Sequence, residues 1–182
     1  MPRPPAPAAQ DYVEIQNLYA YYNLVSDAGD AEAYAGCFTD DGVLNINHLK
    51  FTVKGRADLI GFKEKDKAGR GERYRRHWNG SIVLETIDDH TVRGRCYLHG
   101  FNGLPGSLPE LADVGVYEDR IVKVAGEWRF ASRTIMMDGS RWTPPAMGEG
   151  AGGHSHPSRA TSQQNVAWLS HEVHAKSALL RQ

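Results

Sequence analysis

Two residues that could do chemistry together, Asp27 and His77, lie far apart in the sequence. A carboxylate that contacts a histidine orients the imidazole ring and stabilises its charged form after the ring has accepted a proton. Such a pair is a general base that needs neither a metal nor a cofactor. The sequence alone does not place the two side chains in contact, so the elements that carry them have to be considered.

A helix is predicted for residues 10–28, with Asp27 in its last turn. Its apolar residues recur at helical spacing: Ile15, Leu18, Tyr19 and Tyr22. Gly29 is expected to end this helix. An Asp at the negative end of a helix dipole is unfavourable, so its presence there suggests a compensating purpose. His77 begins a strand-like segment that continues to residue 87.

The remaining pattern predicts further helices first and long strands afterwards. A short helix from Asp30 to Phe38, capped by Asp30, precedes a turn at residues 40–42. The other predicted elements are strands at 43–47 and 50–54, a helix at 56–67, a hairpin of 77–87 with 91–101, a loop at 102–111, and a hairpin of 114–125 with 127–137. This order predicts an α+β fold with helices packed on one face of a bent sheet.

Composition and net charge argue against some classes of binding partner. The formal net charge is -1 and the sequence pI is about 6.7, so there is no global attraction to nucleic acid or to an anionic membrane. No apolar run is long enough to span a bilayer, and the proline-rich residues 1–9 lack the apolar segment of a signal peptide. A cytoplasmic protein is expected. Cys37 and Cys96 have no metal or redox spacing and are expected to be reduced and buried.

Three segments are expected along the chain. Residues 1–9 are predicted to be a disordered or polyproline II leader, residues 10–140 the folded domain, and residues 141–182 a loop followed by a polar helix. The last segment contains four histidines: His154, His156, His171 and His174. Because no cysteine or carboxylate accompanies them at ligand spacing, no metal site is predicted.

Several motifs resemble the nuclear-transport-factor-2-like (NTF2-like) cone fold and, within it, the SnoaL-like proteins. The similar segments are Glu14-Ile15-Gln16-Asn17-Leu18-Tyr19, then Asp27, then Ala33 to Phe38 with Asp40-Asp41-Gly42-Val43. Scytalone dehydratase, hexachlorocyclohexane dehydrochlorinase and bile-acid 7α-dehydratase belong to this group. The resemblance covers roughly residues 10–140. It implies a curved mixed or antiparallel sheet that encloses a pocket with the N-terminal helices, and it implies no cofactor.

The resemblance also implies roles for individual residues. The dehydratase and dehydrochlorinase members have an Asp at the end of the first helix and a His at the start of the first long strand after the third helix, the places of Asp27 and His77. His77 would then abstract a proton from carbon while Asp27 holds the ring. Four further positions are implied to bind substrate: Tyr22, Asn45, His99 and Arg133.

For three of these four positions the residue pattern leaves an alternative open. Tyr22 belongs to the apolar stripe and could be a core residue. His99 would be a surface residue if its strand face is the outer one. Arg133 could pair with a carboxylate on a neighbouring strand. Trp78, next to His77, should point to the opposite face of its strand.

The function implied by the resemblance is that of a cofactor-independent lyase acting on a small hydroxylated substrate, aromatic or polycyclic. Loss of water and loss of an aldehyde such as formaldehyde both fit the dyad. Two alternatives remain: an isomerase or cyclase with the same dyad, and a non-catalytic binding subunit like the small subunit of an aromatic-ring dioxygenase. A homo-oligomer, dimer or trimer, is expected because the open sheet face of this fold usually packs on a copy of itself.

Overall fold

Helices and strands follow one another along the chain in the predicted order. The computed structural model describes residues 3–142 of the 182-residue chain. The elements are α1 (Ala9–Ala28), α2 (Ala31–Gly36), β1 (Phe38–Ile46), a 3-10 turn (Asn47–Leu49), β2 (Phe51–Lys54), α3 (Arg56–Arg70), β3 (Tyr74–Asp88), β4 (Thr91–Gly103), β5 (Glu110–Val124) and β6 (Glu127–Ser140).

The strands form one curved, unclosed sheet in the order β2-β1-β6-β5-β4-β3. All neighbouring strands are antiparallel except β1 and β6, which are parallel. The sheet is therefore mixed, and the predicted α+β, NTF2-like architecture is confirmed. Within residues 3–142, no helix has both the length and the apolar character needed to cross a membrane.

The core lies between the helices and one face of the sheet, and aromatic side chains fill much of it. The predicted stripe of α1 supplies three of its buried residues, Ile15, Tyr19 and Tyr22. The ring of Tyr22 packs edge-on against Phe130 of β6, with ring centroids 5.6 Å apart. Cys37 and Cys96 are free and buried in this core, and burial raises their thiol pKa values to about 11 and about 12.

Local signals at the ends of α1 and α2 are realised as predicted. Gly29 adopts the left-handed conformation (φ 68°) and its N–H donates to the carbonyl of Ser26 at 3.2 Å. The Asp30 side chain accepts a hydrogen bond from the N–H of Ala33 at 3.1 Å and caps α2. The end of α1 and the start of α2 are thus determined by their own sequence.

The turn predicted at residues 40–42 is wrong, because these residues belong to β1. The register of β1 against β6 shifts between Phe38 and Val43, which marks a bulge. A Cβ at Gly42 would lie 2.7 Å from that of Phe38, so a glycine is required there. The turn-like composition of the segment reflects this bulge.

Other boundaries differ by a few residues. The second helix ends at Gly36, two residues before the predicted end, and α3 extends to Arg70. Strand β3 begins at Tyr74, because Tyr74 to Arg76 continue the pairing with β4. The loop after β4 is accordingly shorter than the predicted 102–111.

The N-terminal leader is attached to the sheet at one point. The carbonyl of Pro5 accepts a hydrogen bond from the N–H of Thr86 at 2.8 Å. Since β3 is an edge strand, its outward N–H groups need such a partner. The C-terminal segment with its four histidines and predicted helix lies, beyond Trp142, outside the described residues.

Candidate active site

Asp27 and His77 are in direct contact, through both oxygens of the carboxylate. Asp27 Oδ1 lies 2.6 Å from Nδ1 of the His77 ring, and Asp27 Oδ2 accepts from the backbone N–H of His77 at 2.9 Å. The side chains are 8% and 11% exposed. With the Nδ1 proton donated to Asp27, the lone pair of Nε2 is available to a bound molecule.

The contact follows from how α1 lies beside the first strand of the long hairpins. One helical turn before Asp27, the amide of Asn23 donates to Asn79 Oδ1 at 2.7 Å, which fixes the same two elements. At the end of α1, the Arg70 guanidinium donates to the carbonyl of Asp27 at 2.9 Å. A cation at a helix C-terminus is favourable, so Arg70 compensates the unfavourable placement of an Asp there.

His77 lines a cavity of about 50 Å³ between the helices and the sheet. Its apolar lining consists of Leu44, Ile46, Phe62, Leu98, Ile135 and Met137. Trp142 also lines it and packs edge-on against Phe62, with centroids 6.1 Å apart. This volume holds a few water molecules and is below that of typical ligand pockets, so a ring-sized molecule enters only if lining side chains move.

Three buried tyrosines line the same cavity: Tyr22, Tyr34 and Tyr117. The hydroxyls of Tyr22 and Tyr34 are 3.2 Å apart. Burial raises the pKa of each phenol above its ordinary value. These hydroxyls therefore stay protonated at neutral pH and can donate hydrogen bonds to a substrate oxygen.

A buried charged cluster forms another part of the lining. Lys63 Nζ donates to Ser26 Oγ at 2.9 Å and lies 3.2 Å from Asp66 Oδ2, while Arg75 Nη1 lies 3.2 Å from Asp66 Oδ1. Burial lowers the pKa of Lys63 to about 8, and Asp66 opposes that shift. Burial would raise the pKa of Asp66, but Lys63 and Arg75 outweigh it and lower this pKa to about 2.

A second carboxylate, Asp113, lies on the cavity wall two strands away from His77. His77 is paired with Gly100, and Gly100 with Asp113, so the three residues form one row across β3, β4 and β5. Asp113 is 3% exposed and accepts a hydrogen bond from Ser140 Oγ. A Cβ at Gly100 would lie 2.8 Å from Asp113 Oδ2. The carboxylate thus extends over Gly100 towards His77.

Two residues predicted to bind substrate lie away from the cavity. His99 is exposed on the outer face, paired with Trp78, which is 72% exposed as its strand parity predicts. Asn45 Oδ1 accepts from Thr52 Oγ1 at 3.0 Å, while its neighbours Leu44 and Ile46 line the cavity. Because side chains alternate along a strand, neither His99 nor Asn45 reaches the site.

Arg133 is a core residue and does not line the cavity. It is fully buried and donates to both oxygens of Asp119 at 2.8 Å, the cross-strand alternative that the sequence left open. Its guanidinium also lies 4.0–4.9 Å from four ring centroids, those of Tyr19, Tyr22, Tyr117 and Phe130. Of the softer predicted positions, only Tyr22 joins His77 in the cavity lining.

Sequence reasoning missed Lys63, Asp66, Arg75 and Asp113. Arg75 stands in a charged segment with Arg73 and Arg76, a pattern typical of a solvated surface, yet it is 7% exposed. Its parity with His77 was the available sign, since residues two apart on a strand share a face. Lys63 and Asp66 lie three apart on α3, on the face that carries Leu59 and Phe62. No comparable feature of the sequence indicates Asp113, because it lies between a predicted loop and a predicted strand.

Comparison with known proteins gives one family. The family model of the SnoaL-like domain matches residues 7–134. A comparison with curated proteins gives no significant match.

Solved structures have the same fold. A Mycobacterium tuberculosis protein of unknown function is 27% identical, with a TM-score of 0.63 over 70% of this chain and 72% of that one. An NTF2-like protein with a cystatin-like fold from Novosphingobium aromaticivorans is 26% identical, with a TM-score of 0.60 over 72% and 85%. ActVI-ORFA from Streptomyces coelicolor, 23% identical, has a TM-score of 0.66 over 71% and 98%.

Proposed function

This chain belongs to the SnoaL-like domain family, which includes enzymes, and from that membership and the Asp27–His77 contact we propose that it is a cofactor-independent lyase. Its substrate is a small hydroxylated compound, aromatic or polycyclic, bound in the cavity that His77 lines. The observation that carries the proposal is the carboxylate of Asp27 held by His77 through both of its oxygens. Water loss and aldehyde loss both start from this base.

In the dehydration reaction, Nε2 of His77 removes a proton from carbon, and Asp27 stabilises the resulting imidazolium. The electron pair of the broken C–H bond forms a carbon–carbon double bond as the hydroxyl leaves the adjacent carbon. Lys63 supplies a proton to the leaving oxygen, because a pKa of about 8 suits proton donation near neutral pH. Tyr22 donates a hydrogen bond to a substrate oxygen in the same cavity.

In the aldehyde-releasing reaction, Nε2 takes the proton of a substrate hydroxyl instead. The oxygen then forms the carbonyl of the released aldehyde as the adjacent carbon–carbon bond breaks. The carbon that keeps the electron pair is protonated by an acid of the cavity. Both reactions use Asp27 in the same way, so product analysis is needed to separate them from each other and from isomerisation.

The test is a turnover measurement without added metal or nicotinamide, on a panel of hydroxylated aromatic and polycyclic compounds. We expect His77→Ala and Asp27→Asn to lower kcat/KM by at least about 100-fold with the fold intact, the usual size of a lost general base. His99→Ala is the matched control, because His99 lies exposed on the outer sheet face. Dyad variants that turn over substrate as fast as the wild type would refute the proposal. Binding without turnover would favour the binding-subunit alternative.

A further inference from the structure

A basic recess lies beside the catalytic cavity. It has a volume of about 270 Å³ and shares Asp66, Arg75 and Trp142 with that cavity. Lys65, Arg70, Arg73 and Arg141 are its other charged residues. Five cations and one carboxylate thus face the same space, although the chain as a whole is close to neutral.

The charges of the recess are not balanced among the described residues. Asp66 is shared by three buried cations, with Lys63 and Arg75 at 3.2 Å and Arg70 at 3.8 Å. Asp27 also lies near Arg70, but both oxygens of Asp27 are engaged by His77. Since buried charges are costly unless they are paired, an anion that entered the recess would be stabilised.

Hydrogen-bonding capacity in the recess is also unused. The Arg70 side chain is 9% exposed, and within residues 3–142 its Nε has no hydrogen-bond partner. At the rim, Arg141 pairs with the exposed Glu110 at 2.9 Å, whereas Lys65 and Arg73 are exposed and form no ion pair with any described carboxylate. A guanidinium surrounded by further cations is the usual partner of a carboxylate or phosphate.

We infer that this recess binds an oxyanionic group of the substrate, a carboxylate or a phosphate, while the hydroxylated carbon of the same molecule faces His77. The inference rests on the proposed function and narrows its substrate class to hydroxylated acids. Arg75 and His77 share the inward face of β3 and are two residues apart, which corresponds to about 7 Å along a strand. The acidic group and the base would therefore be held from the same face of β3.

Calorimetric titration of the full chain with sodium benzoate and with inorganic phosphate tests the inference without turnover. The variant Lys65→Gln/Arg73→Gln/Arg141→Gln removes three exposed cations of the recess and leaves the buried cluster intact. Lys54→Gln/Arg93→Gln/Arg120→Gln removes three exposed cations that do not line the recess and is the matched control. We expect the recess variant to bind about tenfold more weakly than both the wild type and the control.

Stronger binding of benzoate would identify a carboxylate as the preferred group, and stronger binding of phosphate a phosphorylated ligand. The variant His77→Ala should bind the anion like the wild type, so failure of the catalytic proposal can be told apart from failure of this one. Absence of saturable binding of both anions to the wild type would overturn the inference. Equal weakening in the two triple variants would also overturn it, because the effect would then be one of net charge.

Discussion

Three aspartates whose side chains are at most 8% exposed are each held by a different kind of partner. Asp27 contacts His77, and Asp66 lies 3.2 Å from both Lys63 and Arg75. Asp119 accepts hydrogen bonds from Nε and Nη2 of Arg133. An imidazole exchanges protons at its two ring nitrogens, whereas the guanidinium of an arginine keeps its charge. The Asp27 pair is therefore suited to proton transfer, whereas the Asp119 pair fixes the core.

The carboxylate of Asp66 should make stability depend on acid pH. Its pKa is lowered to about 2 in the folded protein, below the ordinary value of 3.8. The stabilisation is therefore complete above about pH 4 and is lost as the pH falls towards 2, which amounts to a free energy on the order of 2 kcal/mol. Urea unfolding of the wild type and of Asp66→Asn at pH 7, 4 and 3 measures it.

The variant should be less stable than the wild type at pH 7 and should lose less stability between pH 4 and pH 3. Asp138→Asn is the control, because Asp138 is exposed and forms no ion pair with a described residue. If all three proteins lose the same stability over this interval, Asp66 is not the group responsible.

At the scale of the elements, strand register brings the polar residues of the site together. His77, Gly100 and Asp113 come from three strands that are neighbours only through pairing. The absence of a side chain at Gly100 leaves room for the carboxylate of Asp113 to extend over β4. A glycine within a strand often marks such a close approach.

Gly100→Ala should therefore destabilise the protein by about 1–3 kcal/mol, the usual effect of overpacking. In an Asp113→Ala background the same change should cost less, because Oδ2 and Cγ of Asp113, at 2.8 and 3.3 Å from the added Cβ, are removed and only the Cβ of residue 113, at 3.0 Å, remains. A double-mutant cycle of unfolding free energies measures the coupling. Gly80→Ala is the control, since a Cβ there meets nothing within 4 Å. Purely additive effects at 100 and 113 would contradict the described geometry.

Elements with strong local patterns could be predicted from the sequence, and their tertiary pairing could not. The stripe of α1, its end at Gly29 and the Ala125-Gly126 turn all follow from spacing and backbone preference, and that turn has positive φ at both residues. The parallel pairing of β1 with β6 has no local sign. Arg75 shares strand parity with His77, but parity indicates only the face of the strand and does not identify the buried partner Asp66.

At the scale of the whole molecule, the outer face of the sheet carries an exposed apolar patch. Trp78, Val83 and Tyr97 are exposed by 72%, 53% and 55% and lie near one another on β3 and β4. Exposed apolar patches of this kind mark interaction surfaces. We propose that this face packs on a second copy of the chain, as expected for an open sheet.

Trp78→Lys/Tyr97→Lys should shift the protein towards the monomer, because two charges would be buried in the contact. Sedimentation velocity at several concentrations measures the change. Val13→Lys/Leu24→Lys is the control, because it replaces two exposed apolar residues of α1. Its sedimentation coefficient should equal that of the wild type. A wild type that is monomeric at every concentration, or a larger effect of the α1 variant, would contradict the proposal.

The parallel pairing of β1 with β6 has a consequence for biosynthesis. Phe38 pairs with Phe130, and Leu44 with Arg133, so β1 lacks this neighbour until β6 has left the ribosome. Helix α1 shares that delay, since Tyr19 reaches Asp119 and Tyr22 packs on Phe130. Contacts so distant in sequence slow folding. The N-terminal third therefore emerges with its aromatic surface uncovered, at the stage when molecular chaperones engage nascent chains.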